Sequence, residues 1–82
     1  MATLKELKRK AEDVGATVVI GGYNAYDQST TIEVEAPDGK QWSACNAQVL
    51  VAYSWSYSKG SRGEAYDDLI ERMDYGLEDY DE

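Results

Sequence analysis

Fifteen residues near the C-terminal end, Glu64 to Glu78 (EAYDDLIERMDYGLE), constrain this chain more than any other stretch. At about 100° per residue they separate into two faces. Glu64, Asp67, Asp68, Glu71, Asp74 and Glu78 share one side, and Ala65, Tyr66, Leu69, Ile70, Met73 and Leu77 share the other. Such a helix docks its apolar stripe on a sheet and turns a row of carboxylates to water. Side chains three and four apart have Cβ atoms about 5–6 Å apart, close to the spacing of successive phosphates along a nucleic-acid strand. Only Arg72 offers a cation inside the stretch, so the acids are not laced into the i,i+4 pairs that usually support exposed helices. Tyr75 falls within the acidic face, where an aromatic has no packing role and reads as an interface anchor. The plain alternative is a solvated acidic surface with no partner.

The elements before that helix follow from spacing and turn chemistry. Thr3 and Glu6 form a T-x-x-E capping box, Leu4, Leu7, Ala11 and Val14 recur at helical spacing, and Gly15 supplies a left-handed stop, which predicts a first helix over residues 3–14. Its outer side carries Lys5, Lys8, Arg9 and Glu12. Residues 16–23 are apolar and β-branched and read as a strand, followed by a loop with Tyr23 and Tyr26 exposed. Residues 30–36 alternate cleanly and read as a half-buried second strand. In the Pro37-Asp38-Gly39 turn, a type I turn with Gly39 left-handed sets Val34 opposite Trp42 and Ile32 opposite Ala44. That predicts a third strand over 40–45, with Cys45 near its end as a small, at least half-buried hydrophobe. Val49, Val51, Tyr53, Trp55 and Tyr57 then alternate with Leu50, Ala52, Ser54, Ser56 and Ser58, which predicts a fourth strand over 49–58. Ser61 and Glu64 read as a second capping box, opening the acidic helix.

The order helix, four strands, helix predicts an α+β two-layer sandwich, in which an antiparallel four-stranded meander carries the N-terminal and C-terminal helices on one face. Residues 1–78 form a single domain and 79–82 an acidic mobile tail. Sixteen acidic residues against eight basic give a net charge of −8, which repels nucleic acid and anionic membranes and favours a basic protein partner.

Reaction chemistry is hard to assemble from these residues. Histidine is absent, which removes the commonest general base and transition-metal ligand. Cys45 is the only cysteine, so no intrachain disulfide forms, which fits a reducing cytoplasm. No apolar targeting segment opens the sequence, and its longest apolar run is too short to span a bilayer. Calcium-loop, dinucleotide-binding and P-loop patterns are missing. The expectation is a protein that is not an enzyme and holds no cofactor or metal. Tyr53, Trp55 and Tyr57 make an aromatic ladder, but the charge is wrong for stacking a nucleic acid on it. A homodimer contact through that strand is the alternative use, and a small-ligand surface a further one.

With its capping-box helix, PDGKQW hairpin, alternating fourth strand and ERMDYGLE ending, the chain resembles small phage-encoded proteins. Its size and acidic helix are similar to phage anti-defence inhibitors, including anti-CRISPR proteins that act as DNA mimics. The resemblance implies an inhibitor in the host cytoplasm that occupies a basic nucleic-acid channel. The positions matching that role are Glu64, Asp67, Asp68, Glu71, Asp74 and Glu78, with Tyr75 as a central contact.

Overall fold

The computed structural model describes residues 1–80. These contain two helices and five strands in the order α1 (Leu4–Asp13), β1 (Thr17–Asn24), β2 (Ser29–Glu35), β3 (Lys40–Trp42), β4 (Val49–Trp55), α2 (Ser61–Met73) and β5 (Leu77–Asp79). The Thr3 hydroxyl accepts the Glu6 N–H at 3.2 Å and so caps α1, and Gly15 ends it at φ +77°. β1, β2 and β4 form an antiparallel sheet in which β2 is central, and β3 and β5 form a second, two-stranded antiparallel sheet. The α+β class is as expected, but the four-stranded meander is replaced by three strands plus two.

The difference has a physical origin in the edges of β2. One side of β2 is taken by β1, and the other by β4 over its whole length, from Ser29 opposite Trp55 to Glu35 opposite Val49. This seven-residue ladder sets Ile32 against Ala52 and Val34 against Leu50, all four buried. A short third strand cannot displace it. The Pro37–Lys40 turn does form, with the Lys40 N–H on the Pro37 carbonyl at 3.1 Å and Gly39 at φ +80°. The chain leaving it swings off β2, however, and the Ala36 N–H bonds to Gln48 instead. β3 therefore stops at Trp42, and Ser43 to Asn46 turn back toward β4. Cys45, expected to be at least half-buried at a strand end, is exposed in that turn.

Trp42 is fully buried and its indole Nε1–H donates to the Val34 carbonyl at 2.9 Å. The expected neighbour is met, but through a side chain rather than a strand ladder. The indole belongs to one buried core with Leu7 and Ala11 of α1, Ile32 and Val34 of β2, Leu50 and Ala52 of β4, and Ala65, Tyr66, Leu69 and Met73 of α2. Both helices thus cover one face of the three-stranded sheet. The opposite face carries Val19, Glu33, Val51, Tyr53 and Trp55.

α2 departs from expectation at both ends. Its N-cap is Gly60 in the left-handed conformation, with no side-chain cap, so Ser61 and Glu64 do not form a capping box. At the other end Gly76, at φ +87°, stops the helix as Gly15 stops α1. Leu77 to Asp79 then pair with β3, Leu77 opposite Trp42, Glu78 opposite Gln41 and Asp79 opposite Lys40. Asp79 and Tyr80, expected in a mobile tail, are paired: the Lys40 ammonium bonds the Asp79 carboxylate and the Tyr80 N–H donates to the Gly39 carbonyl at 2.9 Å. Residues 81 and 82, the rest of that tail, lie outside the described residues.

Two predictions follow from this junction between the sheets. Trp42→Phe keeps an aromatic ring but removes the N–H bond to Val34 and part of the buried volume, and should lower the unfolding free energy by about 1–3 kcal/mol in chemical denaturation. The hydrogen bond from Lys40, aided by its charge, holds the Asp79 carboxyl below its ordinary value. A carboxylate with a depressed folded pKa contributes stability above its unfolded value and loses it as pH falls through the folded one. Titrating Asp79 by NMR should therefore give a midpoint below about 3.9, and Lys40→Met should raise it toward that figure.

Candidate functional site

The acidic stripe of α2 is built as expected over its first two turns and breaks at the third. Glu64, Asp67, Asp68 and Glu71 project from the outer side of the helix, and all four are exposed. Asp74 is the C-cap residue, Tyr75 lies in the turn beyond it, and Glu78 sits on β5. Glu78 is thus removed from the helical row by the stop at Gly76, and its carboxylate accepts from the Gln41 amide at 2.9 Å. Tyr75 stands at the end of the row rather than its middle. It is 69% exposed and forms, with Glu71 and Asp74, the walls of a shallow depression of about 230 Å³.

Several of the acids have local partners. Asp67 accepts the Ala2 backbone N–H at 2.8 Å, which ties the N-terminal segment across the first turns of α2. Asp68 pairs with Arg72 one turn on at 3.0 Å. Asp74 pairs with Lys10 of α1. Glu64 and Glu71 form no ion pair among the described residues, and they are the free charges of the row. Spacing could offer Arg72 to Asp68 at i,i+4, but it could not separate these two from Asp67, Asp74 and Glu78, whose partners Ala2, Lys10 and Gln41 are remote in the chain.

The aromatic strand occupies the sheet face turned away from the helices. Tyr53 and Trp55 are 51% and 37% exposed, with ring centroids 6.2 Å apart and tilted by 32°. Tyr57 is also exposed, but it follows β4 in a turn and does not extend the ladder. Tyr23 and Tyr26 are exposed as expected.

β4 is an edge strand, and its outer edge is largely guarded. The Ala36 N–H donates to Gln48 and the Ser56 N–H to Gln28 at the two ends of the β2–β4 ladder, so even-numbered residues of both strands face each other across it. Val49, Val51, Tyr53 and Trp55 therefore direct their backbone groups outward. The Arg72 guanidinium donates to the Val51 carbonyl at 2.5 Å, and the Ser61 hydroxyl accepts the Trp55 N–H at 2.9 Å. This is the role Ser61 takes in place of capping its own helix. Such guards keep a bare edge from pairing with another chain. Arg72 was legible in the sequence only as the lone cation among acids.

Among the described residues no three histidine, cysteine or carboxylate side chains converge to hold a metal ion, and no helix is long and apolar enough to cross a membrane. Replacing Arg72 by Met should lower stability by about 1.5–3 kcal/mol, the range for a hydrogen bond involving a charged group, and expose the β4 edge. Sedimentation at high protein concentration should then show self-association beyond that of the original chain, and unchanged stability and sedimentation would show that the guanidinium does not shield the edge. No protein-family model, curated protein or solved structure matches the chain, so what its surfaces can do has to be read from its own residues.

Proposed function

We propose that this chain is a non-enzymatic protein-binding module whose acidic α2 surface occupies a basic, nucleic-acid-binding surface of another protein. The observation that carries the reading is the exposed run Glu64, Asp67, Asp68 and Glu71 on one rigid helix, with Tyr75 exposed at its end. From Glu64 to Glu71 the run covers about 10 Å at a 1.5 Å rise per residue, so carboxylates recur with the regularity of a strand of phosphates. A net charge of −8 steers such a protein toward cationic clefts and away from nucleic acid itself. Tyr75 adds an aromatic that can be desolvated beside the charges, the usual make-up of an interface anchor. A phage inhibitor of a host defence complex, acting in the host cytoplasm, is the form of this reading that the resemblance implies.

The exposed pair Tyr53 and Trp55 supports a second reading, in which two copies meet through the open sheet face and the acids serve solubility.

The test uses Glu64→Lys with Glu71→Lys, because these two side chains hold no part of the fold together, whereas reversing Asp67 or Asp74 would break contacts to Ala2 or Lys10. Affinity capture at low salt should retain basic nucleic-acid-binding proteins, and a DNA duplex should compete for them. The double variant should bind the captured protein roughly tenfold more weakly or worse, and raised salt should weaken the original chain likewise. Undiminished binding by the double variant would sink the first reading. A salt-insensitive dimer, split by Tyr53→Ser with Trp55→Ser, would favour the second.

A further inference from the structure

The basic side of α1 is left unused by either reading, and it lies against the other edge of the sheet. β1 is paired on one side only. Because even-numbered residues of β2 face β4, its odd-numbered residues face β1, and the pairs Thr17–Glu35 and Val19–Glu33 exchange the ladder bonds. Val18 and Ile20 consequently direct their N–H and C=O groups away from the sheet. Among the described residues no side chain hydrogen-bonds to them as Arg72 and Ser61 do to β4. The free stretch is bounded. Ala16 before it is tied to the Ala11 carbonyl at 2.8 Å, and after Ile20 the ladder register shifts at a bulge, with Gly21 and Gly22 against the single residue Thr31.

Between this edge and the flank of α1 runs an open groove of about 740 Å³. Leu4, Ala11 and Val18 give it an apolar floor, while Lys5, Lys8 and Arg9 line it with positive charge. One carboxylate, Glu12, also lines it. None of the three cations forms an ion pair among the described residues, although Lys10, Lys40 and Arg72 all do. In a chain of net charge −8, unspent cations gathered beside an unpaired strand edge form a local inversion of sign.

We infer that this groove binds an extended acidic segment of a partner protein, which adds to β1 as a short fourth strand. The backbone groups of Val18 and Ile20 supply the hydrogen bonds, alternate side chains of the incoming segment pack on Leu4 and Val18, and its carboxylates meet Lys5, Lys8 and Arg9. This is the division of labour of strand addition, in which the main chain gives affinity and side-chain contacts give selectivity. A nucleic acid fits the site less well, because it offers no backbone donors for a strand edge and is repelled by the rest of the chain. The inference stands apart from the reading of α2, since no residue of that helix lines the groove.

The test is an NMR titration of the isotopically labelled chain with a blocked hexapeptide of alternating valine and glutamate. The glutamate peptide should shift the amides of Val18 and Ile20 and slow their hydrogen exchange, and a valine–lysine peptide should not. Combined Lys5→Glu, Lys8→Glu and Arg9→Glu should weaken binding by about tenfold, as expected for three exposed charge pairs. Ile20→Pro removes an outward N–H without touching the ladder to β2, a position where an edge strand accepts proline. It should abolish the slowed exchange at Val18 while the charges stay in place. Strand addition is overturned if the peptide fails to bind, if Ile20→Pro binds it unchanged, or if the lysine peptide binds equally well. It is overturned too if a thymidine oligonucleotide shifts the same amides, or if the free chain proves to be a dimer already paired through β1. Should Ile20→Pro not fold, the charge-reversal variant and the two peptides decide the matter alone.

Discussion

The bond from the Trp42 indole to the Val34 carbonyl joins the two halves of this protein. An 82-residue chain has little core, and Trp42 is the largest side chain fully buried in it. The Trp42 backbone belongs to the small sheet, where it opposes Leu77, while its side chain lies in the layer between the large sheet and the helices. A buried indole needs a partner for its N–H, and a carbonyl of the central strand provides it. The small sheet is thereby anchored to the large one with few strand-to-strand contacts. The end of α2 is fixed by the same arrangement, because β5 must meet β3 directly after the turn at Gly76.

The two edges of the large sheet are treated differently. Three strands leave two outer edges, and each is a template for another chain. On β4, α2 supplies Arg72 and Ser61 to cover outward groups, so the helix that buries the core also closes the edge. On β1, α1 covers the face but stands back from the edge, and protection comes from the bulge at Gly21 and Gly22, which limits the pairing stretch to a few residues. A short, bounded edge beside fixed charges suits selective pairing better than open-ended aggregation.

Local chemistry in the sequence was a good guide to where elements begin and a poor one to what they pair with. Thr3, Gly15 and the alternation of residues 30–36 and 49–58 mark α1, β2 and β4, although the last three residues of the second run leave the strand for a turn. The Pro37-Asp38-Gly39 turn also forms, but turn type fixes register only if the strand after it stays beside the one before. Here β4 offers β2 a longer apolar match, and Trp42 is worth more in the core than on a ladder. The stop at Gly76 had the same signal as Gly15. It was masked because Leu77 and Glu78 continue the helical pattern by coincidence, Leu77 needing burial and Glu78 exposure in either structure. Ser61 shows the opposite error: a capping motif was present, but Gly60 could take the left-handed entry and the unpaired Trp55 N–H competed for the hydroxyl. The acids of the candidate site were all legible as exposed, but the partners of Asp67, Asp74 and Glu78 were not, since those contacts join residues remote in sequence.

Those contacts leave a surface with two signs. The acids of α2 and the cations of α1 meet at the pair Lys10–Asp74, and away from it Lys5, Lys8 and Arg9 line the groove beside β1 while Glu64 and Glu71 project from α2. Attraction between the α1 groove of one copy and the α2 acids of another is opposed by repulsion between two chains of −8. Geometry opposes it as well. Glu64 and Glu71 are held on a helix whose backbone bonds are internally satisfied, so they cannot offer an extended main chain to Val18 and Ile20. The groove therefore discriminates by conformation in addition to charge: an acidic helix satisfies its cations but not its strand edge, and only an extended acidic segment satisfies both.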